Sequence, residues 1–200
     1  GMQLLEPGFT VDGVAAAPVI GRLAANHEVE VDPRLDAAVD AALAASGLTI
    51  EHVSLTGWTY SDRGFATVIG YEAWLADPEL MHIPGGVHDY VGERLRLCAA
   101  LTNDDYETGR ADLSLWRDEV LALLQRVPVL ALPTLAGPPP GIGAAFLDNS
   151  LTCPFNASGT PAISIPVGDG PGESLQLVAA PGGEELLVAT AALIEAAVAR

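Results

Sequence analysis

No lysine occurs in these 200 residues; all nine basic side chains are arginine, against 26 aspartates and glutamates. The net charge of −17 and the lack of any basic patch count against nucleic acid, whose phosphates are held by clustered Lys and Arg. An anionic membrane surface is disfavoured on the same ground. Without lysine there is no G-x-x-x-x-G-K-[ST] phosphate loop. No G-x-S-x-G elbow exists, so the α/β-hydrolase route has no nucleophile. The stretch Gly137 to Gly143 lacks the G-x-G-x-x-G order of a dinucleotide loop. Cysteine is scarce: Cys98 and Cys153 lie far apart with no C-x-x-C, which predicts two reduced thiols in a cytoplasmic protein. No signal peptide opens the chain and no apolar run reaches membrane-spanning length. Gly1-Met2 reads as an expression scar ahead of a native start. The four histidines, His27, His52, His82 and His88, match no metal-ligand spacing, so neither a metal nor a cofactor is expected.

What the chain does have is apolar residues. Half of it is hydrophobic and its mean hydropathy is +0.32, high for a soluble monomer. An excess of that kind predicts a covered surface, and self-association as a dimer is the simplest cover. The length suits one domain over residues 1–200, large enough to bury about 70% of its unfolded surface.

Residues 1–17 read as irregular, with a first strand over 15–23. Asp32 before Pro33 is a helix start, Leu35, Val39 and Leu43 share one face, Asp36 and Asp40 form an acidic row beside it, and Gly47 is the stop. A strand at 49–55 follows, then helices at 62–76, 85–101 and 103–126, the last opened by a capping box at Thr102. Residues 127–132 are a buried strand. A long Pro/Gly-rich loop over 133–160 follows it, then strands at 161–167 and 175–180 and an apolar helix at 184–199. Strand–helix–strand order implies an α/β fold, a mixed sheet flanked by helices.

One segment concentrates polar groups before an apolar strand: Pro154-Phe-Asn-Ala-Ser-Gly-Thr-Pro-Ala-Ile-Ser-Ile-Pro-Val-Gly168. Read by residue type it is a tight turn, with Asn156 and Ser158 bonding backbone groups and Gly159 free to take positive φ. It also resembles the P-F-N-x-[ST]-G-x-P-A-[IL]-S-[IV]-P-x-G pattern of amidase signature enzymes. Val129-Leu-Ala-Leu-Pro-Thr134 is similar to that family's D-V-L-L-x-P-T strand, and Leu175-Gln-Leu-Val-Ala179 to its G-L-Q-L-V-G strand. Glu184 to Glu195 resembles the closing helix, and Asp105-Tyr106 with Arg110 the D-Y-x-x-A-x-x-x-R helix. These motifs stand in family order and belong to the family's C-terminal half. Departures fall at Arg126-Val127 and Gly172-Glu173-Ser174.

The resemblance implies amide (C–N) hydrolase ancestry. It also implies that the nucleophilic serine, the bridging cis-serine and the lysine base belong to the other half. Arginine stays protonated and cannot replace that base. The expectation is therefore an amidase-like domain with no catalytic residue of its own, a pseudoenzyme or regulatory domain. The alternatives are the non-catalytic subunit of a split amidase, whose partner chain supplies Ser-Ser-Lys, and a small-ligand-binding protein. For a substrate cavity, the strand-end residues Thr134, Asn156 and Thr160 are the candidates.

Overall fold

The computed structural model describes residues 8–25, 28–76, 78–141 and 148–199. Five strands form one mixed sheet in the order β2-β1-β3-β5-β4: β1 (Val19–Leu23), β2 (Thr49–Val53), β3 (Val129–Pro133), β4 (Ala162–Pro166) and β5 (Ser174–Ala179). β1 runs parallel to β2 and β3, while β5 is antiparallel to both β3 and β4. The mixed α/β architecture is the one the alternation of elements implied.

The apolar sequence of β3 follows from its central place. Leu130 and Leu132 enter one core while Val129 and Ala131 enter the other, so both faces are covered and no polar alternation is needed. One layer holds α1 (Pro33–Ser46) and the last helix, α6 (Glu184–Val198), which cover the sheet with Val39, Leu43, Leu187 and Ile194. The other holds α2 (Trp58–Ala76), α4 (Asn103–Leu124) and the short α5 (Cys153–Ser158), with α3 (Asp89–Cys98) beside α2. Trp58, Trp116 and Phe155 are its centre. The two indoles lie 5.0 Å apart and Phe155 stands edge-on to Trp58 at 6.3 Å.

The helix ends obey their local chemistry. Asp32 accepts from the Arg34 amide, and Gly47 closes α1 at φ 71°. Thr102 and Asp105 form a reciprocal capping box, with the Asp105 carboxylate taking the Thr102 amide at 2.9 Å. The Thr102 hydroxyl and amide hold that carboxylate below the usual Asp range.

Three expectations are corrected. The first strand begins at Val19, after Pro18, and not at 15. The helix expected over 85–101 is shorter: α3 begins only at Asp89 and ends at Cys98, and a separate 3-10 turn at Pro78–His82 precedes it. Gly85 takes φ 71°, which a helix interior does not permit, and His88 caps the new start. The 133–160 loop is not continuous coil: α5 lies within it, started by Pro154 and ended by Gly159 at φ 65°. Of that loop, 142–147 lies outside the described residues, as do 1–7 of the irregular N-terminal segment.

Candidate functional site

The polar segment after β3 divides into an inner and an outer part. Inside, Trp116 donates its indole N–H to the Pro154 carbonyl at 2.6 Å, and Arg117 donates to the Ser158 carbonyl at 2.9 Å. These bonds fasten α5 to α4. The Ser158 hydroxyl donates to the Phe155 carbonyl at 2.9 Å and lies 2.8 Å from the Thr160 hydroxyl, which reaches the same carbonyl at 3.2 Å. Both side chains are buried. Thr160 is thus engaged in closing the helix end, the work that a buried hydroxyl with nearby backbone acceptors does best.

The outer part lies on the sheet. Thr134, just past β3, has its hydroxyl 2.7 Å from that of Ser164 on β4. Ser164 stands opposite Gln176 of β5 in register, and Gln176 is buried and donates to the Leu151 carbonyl at 3.0 Å. On β4 the side chains of Ile163 and Ile165 pack toward α6, whereas Ala162, Ser164 and Pro166 are exposed. The second helix layer therefore stops short of β4 and leaves Thr134 and Ser164 at an open rim. Asn156 is exposed on α5 and takes part in neither hydroxyl pair. The structure brings Thr134 to Ser164 and Thr160 to Ser158, and sets Asn156 apart from both.

Chemically, these groups can position a polar ligand. No imidazole, amine or carboxylate hydrogen-bonds either hydroxyl pair among the described residues, so neither pair has the adjacent base that makes a hydroxyl nucleophilic. Ser164 and Gln176 were not singled out from sequence. Their signal is a polar residue at alternate positions of an otherwise apolar strand.

A second polar cluster went unread in the sequence. Arg22 of β1 is buried, with its guanidinium on Asp40 at 2.7 Å, on Asp36 at 2.5 Å and on the Leu23 carbonyl at 3.0 Å. Burial pulls the guanidinium pKa down, but the bonds to Asp40 and Asp36 outweigh it and hold it above its ordinary value. The acidic row on α1 is thus the arginine's counter-charge. His52 of β2 lines, together with Arg22, Asp36 and Asp40, an open cavity of about 390 Å³. His88 caps α3 by accepting the Tyr90 amide at 3.3 Å, and His27 lies outside the described residues. Among the described residues no three His, Cys, Asp or Glu side chains are placed to share a metal, and no helix is long and apolar enough to cross a membrane.

No family profile matches the chain. In sequence it is 41% identical over 91 residues to the 6-aminohexanoate-cyclic-dimer hydrolase of Paenarthrobacter ureafaciens, a stretch that takes in 34% of this chain and 18% of that enzyme. In structure it is similar to a crystallised amidase, with a TM-score of 0.80 and 24% identity over 91% of this chain and 46% of the other. It is also similar to a protein from a vestigial complex described as revealing the evolutionary origins of an s-triazine catabolic enzyme. There the TM-score is 0.76 and the identity 24%, over 93% and 44% of the two chains. The chain spans less than half the length of these proteins.

Proposed function

We propose that the chain is a member of the amidase signature family, a reading supported by its likeness to the cyclic-dimer hydrolase and to the crystallised amidase, and that its 200 residues form a domain that does not hydrolyse amides by itself. One observation carries this reading: the sequence holds no lysine to serve as the family's base. The two hydroxyl pairs fit the same reading, since each is satisfied by another hydroxyl or a backbone carbonyl and not by a base. The domain's role is then regulatory or structural. Thr134 and Asn156 belong to the wall of a substrate cavity and not to its reacting centre, while Thr160, expected beside them, supports that wall from within by closing the end of α5. The protein works in the cytoplasm, with Cys98 and Cys153 as free thiols. It pairs with a second copy through exposed apolar side chains such as Leu75 and Leu97.

The test is a panel of aliphatic and aryl carboxamides with ammonia release as readout. The purified 200-residue protein should show no turnover above a protein-free blank. Turnover that Ser164→Ala abolishes would overturn the reading.

A second reading is the split amidase, in which a separate chain brings Ser-Ser-Lys. The open rim of β4 beside Thr134 and Ser164 favours it, because a further layer has room to pack there. Tagged protein recovered from its native lysate would carry a stoichiometric partner with a Gly/Ser-rich stretch and a lysine. Recovery of this chain alone would instead leave the self-paired domain.

A further inference from the structure

We propose that α3 is the face on which two copies of this chain meet, as an antiparallel helix pair whose two-fold axis passes between Arg94 and Leu95. The proposal rests on the self-pairing reading above and names its surface and geometry.

One side of α3 is fixed and the other is open. Gly92 is buried, and Cys98 lies against α2, where a Cβ added to Gly70 would fall 2.8 Å from the thiol sulfur. Each residue turns the helix by about 100°, so Tyr90, Glu93 and Leu97 fall on the side away from α2, with Arg96 at its edge. Leu97 is 79% exposed, the highest value for a large apolar side chain among the described residues. Arg94 lies over the Tyr90 ring at 5.8 Å and donates to its hydroxyl at 3.0 Å, which holds that ring against the helix.

Two features select a second copy as the occupant. The first is charge. The chain carries −17, yet α3 sets Asp89 and Glu93 against Arg94 and Arg96 and is neutral. Two copies that approach through it bring neutral faces together, which suits pairing of so acidic a chain. The second is that the pattern is complementary to itself when turned end over end. About the axis, Glu93 comes level with Arg96 of the second copy, and Arg96 with its Glu93, along one flank. Tyr90 and Leu97 line the other flank, where Tyr90 stands within about 3 Å along the helix of Leu97 of the second copy. A parallel pair would instead set Glu93 on Glu93 and Arg96 on Arg96. Among the described residues neither Glu93 nor Arg96 makes an ion pair within the chain, so both charges are open to one across the axis. Exposed pairs of this kind add little affinity and mainly fix the orientation, while the apolar row supplies the gain. A helix of ten residues offers less than the area of a standard interface, about 800 Å² per partner, so the pairing is weak and reversible.

The test is sedimentation equilibrium of the full chain from about 1 μM to about 1 mM at roughly 0.15 M salt. The parent should dimerise. Leu97→Asp, at a position too exposed to disturb folding, should weaken the dimer at least about tenfold, and Glu93→Arg and Arg96→Glu should each weaken it about tenfold by setting like charges together. An equimolar mixture of the Glu93→Arg chain and the Arg96→Glu chain should regain the dimer fraction of the parent, because every charge then meets its opposite across the axis. Circular dichroism melts check that each variant is folded. A parent dimer that all three variants leave unchanged would overturn this surface and leave self-pairing standing elsewhere on the molecule. A parent that stays monomeric over the whole range would overturn both. A mixture that pairs no better than its components would overturn the antiparallel geometry.

Discussion

Trp116→Phe is the substitution that best tests how the candidate segment is held. Trp116 is fully buried and its indole N–H is bonded to the Pro154 carbonyl at 2.6 Å, at the first turn of α5. Phenylalanine removes the donor and leaves that carbonyl buried, which costs about 1–3 kcal/mol. The smaller ring also leaves a gap of about 40 Å³ between Trp58 and Phe155, worth about 1 kcal/mol at the usual cavity rate. The sum is about 2–4 kcal/mol, or a fall in Tm of roughly 5–15 °C for a chain of this length. Urea unfolding followed at 222 nm measures it, and Trp58→Phe is the control. Trp58 packs in the same trio and has no indole hydrogen bond among the described residues, so its replacement should cost only the packing part, about 1 kcal/mol. Amide exchange should also accelerate over residues 153–160 in Trp116→Phe more than elsewhere. If the two variants lose equal stability, the indole bond is not what anchors α5.

Gly64→Ala should destabilise by about 1–3 kcal/mol in thermal melts, because its Cβ would fall 2.8 Å from the Gly109 carbonyl where α2 crosses α4. Gly137→Ala, with nothing within 4 Å of the added carbon, should stay within about 0.5 kcal/mol of the parent. In a double-mutant cycle, Ser158→Ala and Thr160→Val should couple by about 0.5–1.5 kcal/mol, since their hydroxyls share one carbonyl; strict additivity would contradict the shared network. Cys153 should alkylate with a pH midpoint above that of an ordinary thiol, because burial first and then Asp62 and Asp148 disfavour its thiolate. Asp148→Asn should bring the midpoint back down. The stability linked to this raised thiol pKa is complete below the ordinary thiol value and is lost as pH rises through the raised one. A midpoint unmoved by Asp148→Asn would show that this carboxylate does not act on the thiol.

The sheet and its helices were legible because their signals are local. Asp32 with Pro33, Gly47 and the Thr102–Asp105 box mark helix ends by side-chain chemistry alone, and each stands where it was read. The α5 helix was not legible. It has six residues, too few for an apolar period, and its Pro154 and Gly159 read equally well as turn residues. The same shortness hid the fate of Thr160, whose hydroxyl turns inward only because a helix end lies above it. The Arg22 cluster failed to show for a different reason. Asp36 and Asp40 form a row one turn apart, and such a row is normally a solvated face. What makes it a counter-charge is β1 lying under α1, a tertiary fact that no spacing contains.

The net charge separates the two proposed assemblies. Two copies of a chain carrying −17 repel each other at any face, so a homodimer must recover that cost from apolar contact. Added salt screens the repulsion and leaves the apolar gain intact, so self-association should tighten as ionic strength rises from about 0.05 to 0.5 M, where the Debye length shrinks to a few ångströms. A separate chain selected to pack on the β4 rim is under no such constraint. If it answers the acidic surface with basic residues, its binding should weaken over the same salt range. Sedimentation equilibrium of the purified protein across that range reads the first case, and retention of a co-purified partner in salt washes reads the second. Self-association that dissolves in salt would remove the apolar account of pairing, and with it the reason for assigning the hydrophobic excess to a second copy.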